Sequence, residues 1–234
     1  MATINAKAIL ERASTIIQDE TNIRWPPEEL LDWLNDAQRE IVRIKPDAFA
    51  KNEARQLTQG TKQELAPDGI ALIDVPRNMG IDGQTPGKVI RQIPRRQLDD
   101  QRPDWHSQDP AQEVDHFMFD SRDPKHFYVW PPSDGNGYAE QIYSSAPDEV
   151  TDPESETITL DDVYANTILD FILYRAYMKD ADYAGNAQRA AAAYNSFLQA
   201  LGLQGQVQAI VNPNVPQEAR AANLMSTPGG GPQS

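Results

Sequence analysis

The stretch DDVYANTILDFILYRAYMKDADYAGNAQRAAAAYNSFLQAL, residues 161–201, decides the fold. Val163, Tyr164, Ile168, Phe171, Ile172, Arg175 and Met178 recur at three- and four-residue steps, the spacing of one helix face. Ala165, Leu169, Leu173, Ala176 and Tyr177 widen that face, so most of this helix is expected to be buried. From Asp162 to Asp180 it would be roughly 28 Å long. Lys179–Asp180 and Gly185–Asn186 bracket a polar turn. A second helix follows, with Ala190, Tyr194, Phe197, Leu198 and Leu201 on one face and small alanines around them. Gly202 is placed to end it in the left-handed conformation. Two such helices need others to complete a core.

Those others lie at the start of the chain. Thr3 can cap a helix over about Ile4–Gln18, with Ala6, Ile9, Leu10, Ala13, Ile16 and Ile17 as its apolar stripe. Pro26–Pro27 suits the first turn of a second helix, and Glu28 and Glu29 follow where the helix dipole favours negative charge. Leu30, Leu31, Leu34, Ala37, Ile41 and Ile44 give its buried face, and Pro46 ends it. Trp25 and Trp33 read as packing residues.

From about Ala50 the period shortens to that of strands. Gln59–Gly60–Thr61 reads as the turn of a hairpin over Arg55–Ala66. Further strands are expected at Ile70–Val75, Gly87–Ile93, Val114–Phe119, Phe127–Trp130 and Tyr138–Tyr143. Phe117 and Phe119 alternate with His116 and Met118, as Phe127 and Val129 do with Tyr128 and Trp130. The polar segment 97–112, with Trp105 inside it, reads as a long projecting loop. The expected fold class is therefore α+β. A bundle of about four antiparallel helices, from residues 1–49 and 158–202, carries an inserted antiparallel β-sheet domain at 50–157. An extended C-terminal tail occupies 203–234. Its prolines and its Gly229–Gly231 run do not supply enough apolar surface to fold alone, and Gln217–Met225 could form a short helix on a partner.

The 234-residue chain has 35 Asp and Glu against 21 Lys and Arg, a formal charge of −14. Such a surface repels nucleic acid rather than gripping phosphates. The absence of Cys excludes disulfides and thiolate metal sites. No apolar run is long enough for a membrane span, and MATINAKAILERASTIIQDE does not read as a signal peptide. Phosphate-loop, dinucleotide, nucleophile-elbow and zinc-protease motifs are all missing, so no catalytic or cofactor-binding residue is assigned. His106, His116 and His126 lie among several aspartates, but their spacing matches no metal motif. Arg91, Arg95 and Arg96 form the one basic cluster, suited to a salt-bridged partner surface. Asp161–Asp162 reads as a helix start.

Four segments occur in order: WPPEELLDWLNDAQREIV, LTQGTKQELA, DPKHFYVWPPSDGNGYAEQIYSSAP and DDVYANTILDFILYRAYMKDADYAGNAQRAAAAYNSF. Together, over roughly residues 4–203, they resemble the head-to-tail adaptor proteins of short-tailed double-stranded-DNA bacteriophages, the tail-tubular or gatekeeper-like group. The resemblance implies a virion protein without catalytic activity or cofactor, assembled in the host cytoplasm. It implies a homo-oligomeric ring of about twelve copies beneath the portal protein. Double-stranded DNA would pass through the lumen without specific binding, and tail nozzle or tail fibre proteins would attach below. Partner-binding roles are expected for Val215, Gln217, Arg220, Leu224 and Met225 of the tail, and for Arg175 and Trp105. Two other functions remain open on the residues. One is a receptor- or carbohydrate-binding module using Trp105 and Phe127–Trp130. The other is a metal-dependent hydrolase using His116 and His126.

Overall fold

The computed structural model describes residues 2–183 and 185–211, the last nine of these as backbone only. The protein is α+β, and the described residues form five α-helices and seven strands. The chain divides into two compact units: residues to Lys45 together with those from Glu149 onward, and an insertion from Pro46 to Asp148.

The first unit contains helices α1 (Ala6–Ile16), α2 (Pro27–Ile44), α4 (Ala165–Lys179) and α5 (Asn186–Val211). Helix α1 starts two residues later than the sequence suggests. Asn5 is its cap, accepting a hydrogen bond from the Lys7 N–H, while Thr3 is drawn to Asp162 instead. Helix α2 begins on Pro26–Pro27 and stops before Pro46, as its prolines dictate. Helix α4 is preceded by a turn of 3-10 helix, Asp162–Tyr164. It buries Ile168, Leu169, Phe171, Ile172, Leu173 and Ala176. Val163, Arg175 and Met178, expected on the same stripe, are exposed.

Ring pairs fix the direction of the last two helices. Phe171 packs on Phe197 at 5.2 Å and Tyr174 on Tyr194 at 4.7 Å, so one helix ascends as the other descends. Helix α5 does not stop at Gly202. It continues to Val211, because Gly202 is exposed, keeps an ordinary helical φ and leaves the helical backbone uninterrupted. The tail boundary expected at 203 is displaced accordingly.

The second unit holds β1 (Ala50–Gln56), β2 (Gly60–Glu64), β3 (Gly69–Asp74), β4 (Arg91–Gln92), α3 (Arg95–Gln101), β5 (His116–Phe119), β6 (His126–Ser133) and β7 (Tyr138–Ser145). The expected single antiparallel sheet is in fact two. One has the order β1-β7-β3, and the other β2-β6-β5-β4, whose β4–β5 pair is parallel. The hairpin expected around Gly60 does not form: β1 pairs with β7 and β2 with β6, so the chain crosses between sheets at Leu57–Gln59. Leu57, Leu72, Phe117, Phe127, Val129 and Tyr143 from both sheets join one apolar core.

Segment 97–112 is no projecting loop. It includes most of α3 and a 3-10 turn, Trp105–Ser107. Leu98 and Trp105 cover Met118, Tyr128 and Trp130 on the outer face of the second sheet. The buried Trp105 indole and Leu98 hold this polar segment down, together with the Trp130 Nε1 bond to Gln108 and the Ala111 N–H bond to the Pro132 carbonyl.

Candidate docking surfaces

The helical unit carries a hollow of about 350 Å3 lined by Glu29 and Trp33 of α2 and by Arg175, Met178 and Lys179 of α4. Both sets recur at helical spacing, and the two helices run antiparallel, which brings the faces together. Trp33 is the buried floor and the half-exposed Met178 a wall. Lys179 pairs with Glu29 across one rim, while Arg175 reaches Asp36 only at 3.9 Å. Exposed pairs of this kind add little stability, so the Arg175 guanidinium is free to exchange partners. Its aliphatic stem explains its place in an apolar pattern although its head is in water.

A second hollow of about 480 Å3 lies along α1, lined in part by Lys7, Leu10, Glu11, Pro27, Leu30 and Glu154. Lys7 binds Glu154 at 2.7 Å, and that hydrogen bond raises the lysine pKa above its ordinary value. Beside it the loop between α1 and α2 is knotted on Asp19. This carboxylate accepts hydrogen bonds from the N–H groups of Ile23, Arg24 and Trp25 at 3.0, 2.8 and 2.9 Å. The Trp25 N–H leads in holding the carboxyl below the usual aspartate range. Arg24 then stacks over Trp25 and Tyr183 and pairs with Asp180, which ties this loop to the turn after α4.

Sequence reasoning missed two buried amides on α2. Asn35 donates from Nδ2 to the Val150 carbonyl at 2.9 Å and accepts the Val150 N–H on Oδ1 at 2.9 Å. Gln38 Oε1 accepts from the N–H groups of Thr159 and Leu160 at 2.7 and 3.2 Å. Together they fasten the returning chain to the first half of the unit. The available signal was two polar residues, three apart, within the period of Leu31, Leu34, Ile41 and Val42.

Trp105 is not available at the surface. Its ring is fully buried, stacked on His106 at 3.5 Å, edge-on to Tyr128 at 83°, and its Nε1 donates to Asp99 at 2.8 Å. Phe127 is buried as well, so Trp105 and Phe127–Trp130 do not present the coplanar exposed rings that a carbohydrate platform needs. The histidines are scattered among separate partners. His106 bonds Thr61 at 2.8 Å, His126 bonds Asp123 at 2.8 Å, and His116 lies against Trp130. Among the described residues no group of three His, Asp or Glu could hold a metal ion, which removes the basis of the hydrolase reading. Asp162 accepts from the Thr3 and Ile4 N–H groups at 2.8 and 3.0 Å, and the Thr3 hydroxyl leads in lowering its pKa. Asp161 accepts from the Val163 N–H and caps the 3-10 turn, so the pair marks a helix start, as its sequence suggests, and Asp162 also holds the N-terminal stretch at Thr3 and Ile4. Val215, Gln217, Arg220, Leu224 and Met225 lie outside the described residues.

The helical unit, interrupted by a two-sheet insertion, presents open hollows lined by charged and apolar side chains, surfaces of a kind that suits contact with other proteins. The chain belongs to the SU10 adaptor protein family, whose family model matches residues 4–218. It is thus a structural adaptor of bacteriophage virions, a component of the head–tail junction that works with portal and tail proteins. No curated protein matches the chain. No described helix is long and apolar enough to cross a membrane.

Proposed function

We propose that the protein closes into a homo-oligomeric ring of about twelve copies beneath the portal, through heterologous contacts between identical neighbours. The ring continues the DNA channel and presents an attachment site for the nozzle or tail fibre proteins. Membership of the adaptor family is the observation that carries this reading. Helix α5 lends it support. In a chain of charge −14, this helix of 26 residues has Arg189 as its one charge, and Ala191, Ala192 and Leu198 are exposed on it. A neighbour can cover such a face without desolvating ions. The acidic excess also suits a lumen through which DNA moves without adhering, since no counterion release rewards contact.

Within this reading Arg175 meets a partner at the Trp33–Met178 hollow. Trp105 acts by holding the 97–112 segment in place. Residues 203–234, with Val215, Gln217, Arg220, Leu224 and Met225, dock on the portal or on a neighbouring copy. Mixing the purified chain with portal rings and imaging by negative stain tests the ring. Closed rings seated on portals are expected, and portals that stay bare at saturating protein refute it. Removing residues from Asn212 onward should abolish pull-down by portal rings; undiminished capture rules out the tail's role.

A further inference from the structure

Across the second sheet, Arg91 of β4 stands beside His116 of β5, and His116 beside Trp130 of β6, as register partners on one face. The three side chains form a row. His116 and Trp130 lie 5.6 Å apart, and the Arg102 guanidinium sits 5.3 Å over the Trp130 ring. At the Arg91 end a hollow of about 410 Å3 opens, lined by Lys88, Val89, Arg91, Asp115 and His116. Val89 is 57% exposed there, an uncovered apolar side chain between cations.

The partners already taken are few. Lys88 is paired with Asp115. Among the described residues, the exposed Arg91 head meets no acid and no ring, and the His116 ring makes no hydrogen bond, its Nδ1 being enclosed without a partner. Arg95, which the sequence groups with Arg91, is instead engaged by Asp99. A guanidinium, an imidazole and a second guanidinium on an indole thus line one strip of an otherwise acidic protein.

We propose that this row is a docking surface for an acidic, partly apolar segment of another protein. A carboxylate would bridge Arg91 and His116, a second would meet Arg102, and an apolar side chain would cover Val89 and the Trp130 edge. Arginine forks match carboxylates in two-point geometry, and stacking on the indole preorganises Arg102. DNA fits less well. A duplex presents a charge about every 1.7 Å and needs a long basic stripe. This row is short, one guanidinium, one imidazole and a second guanidinium across three strands, and matches two carboxylates rather than a continuous phosphate backbone. The inference does not depend on ring formation.

The test uses the full chain and a short blocked peptide of alternating Glu and Leu, labelled for fluorescence anisotropy, with a short DNA duplex as the competing probe. Saturable peptide binding is expected. Arg91→Glu and Arg102→Glu should each weaken it by about tenfold. Arg122→Glu, on the Asp120–Asp123 turn, should leave it unchanged. All three side chains are exposed, so unchanged circular dichroism will show intact variants. Absence of saturable binding, equal binding by the Arg91 and Arg102 variants, or tighter binding of the duplex with the same sensitivity would overturn the proposal.

Discussion

Replacing Asn35 by Ala tests how a helical unit split by an insertion is held closed. Asn35 is 3% exposed, and its amide occupies both the N–H and the C=O of Val150, itself 3% exposed. Truncation leaves those two backbone groups buried without partners. Each such loss costs about 1–3 kcal/mol. Partial entry of water would bring the sum to about 3 kcal/mol. For a chain of this size that lowers the melting temperature by roughly 6–12 °C. Urea unfolding followed by helical circular dichroism gives the measurement. Asn35→Asp sharpens it, because the carboxylate still accepts the Val150 N–H but turns an oxygen toward the Val150 carbonyl. Protonation restores a donor. The variant's folded-state pKa is thereby raised, so its deficit should be largest at neutral pH and shrink as the solution is acidified. A loss below about 1 kcal/mol for Asn35→Ala, or no pH dependence for Asn35→Asp, refutes the closure argument.

Four other outcomes follow from local geometry. A Cβ on Gly137 would lie 2.0 Å from the Gln112 carbonyl oxygen, so Gly137→Ala should cost about 1–3 kcal/mol or more in urea unfolding. Gly185→Ala meets open space but has φ at +81°, and should cost only about 1–2 kcal/mol. Asp170 is half-buried, has no donor or cation among the described residues, and burial alone raises its pKa. Stability from a raised carboxyl is present below the unfolded pKa and lost as pH rises, so Asp170→Asn should raise the melting temperature at pH 7 and not at pH 3. Tyr143 is pushed up to about 12 by burial and then by its 2.9 Å hydrogen bond to Glu53. The folded β unit keeps this proton when the unfolded chain has lost it, so its stability should fall between about pH 10 and 12, read as phenolate absorbance rising with unfolding.

The helices were legible because long apolar periods and proline stops are local signals. Pro26–Pro27 and Pro46 bound α2 within a residue of their expected places. Strand alternation at Phe127–Trp130 was equally local, and Phe127 and Val129 are its buried pair, whereas at His116–Phe119 both faces are covered, Phe117 by the main core and Met118 by Leu98 and Trp105. Sheet membership was not legible. The partner of β1 is β7, some ninety residues away, and nothing near Gly60 records that the chain crosses between sheets. Gly202 misled because glycine marks a helix end only when the backbone there turns left-handed, and an exposed mid-helix glycine looks the same in sequence. Trp105 misled for the opposite reason. Its burial is set by Met118 and Tyr128, which reach it from strands the segment itself does not reveal.

The same device closes both units. In the insertion, Asn78 accepts the Val114 N–H at 2.9 Å and donates to the Val114 carbonyl at 2.8 Å, as Asn35 does with Val150. Asn78 is 1% exposed and also donates to the Lys88 carbonyl at 3.0 Å. A side-chain amide offers the donor and acceptor of a peptide group, so one residue replaces a rung of a strand ladder where no strand runs. It carries no charge, so the junction is indifferent to the pH and salt that weaken the surface ion pairs. It is also short, which suits a site where backbone must lie close to a helix or strand. For a protein of charge −14 that works in contact with other proteins, closure by neutral amides separates the integrity of each unit from the electrostatics of its surface. Arg91 and Arg175 lie outside that closure, since Arg175 reaches Asp36 only at 3.9 Å and the Arg91 head meets no acid among the described residues.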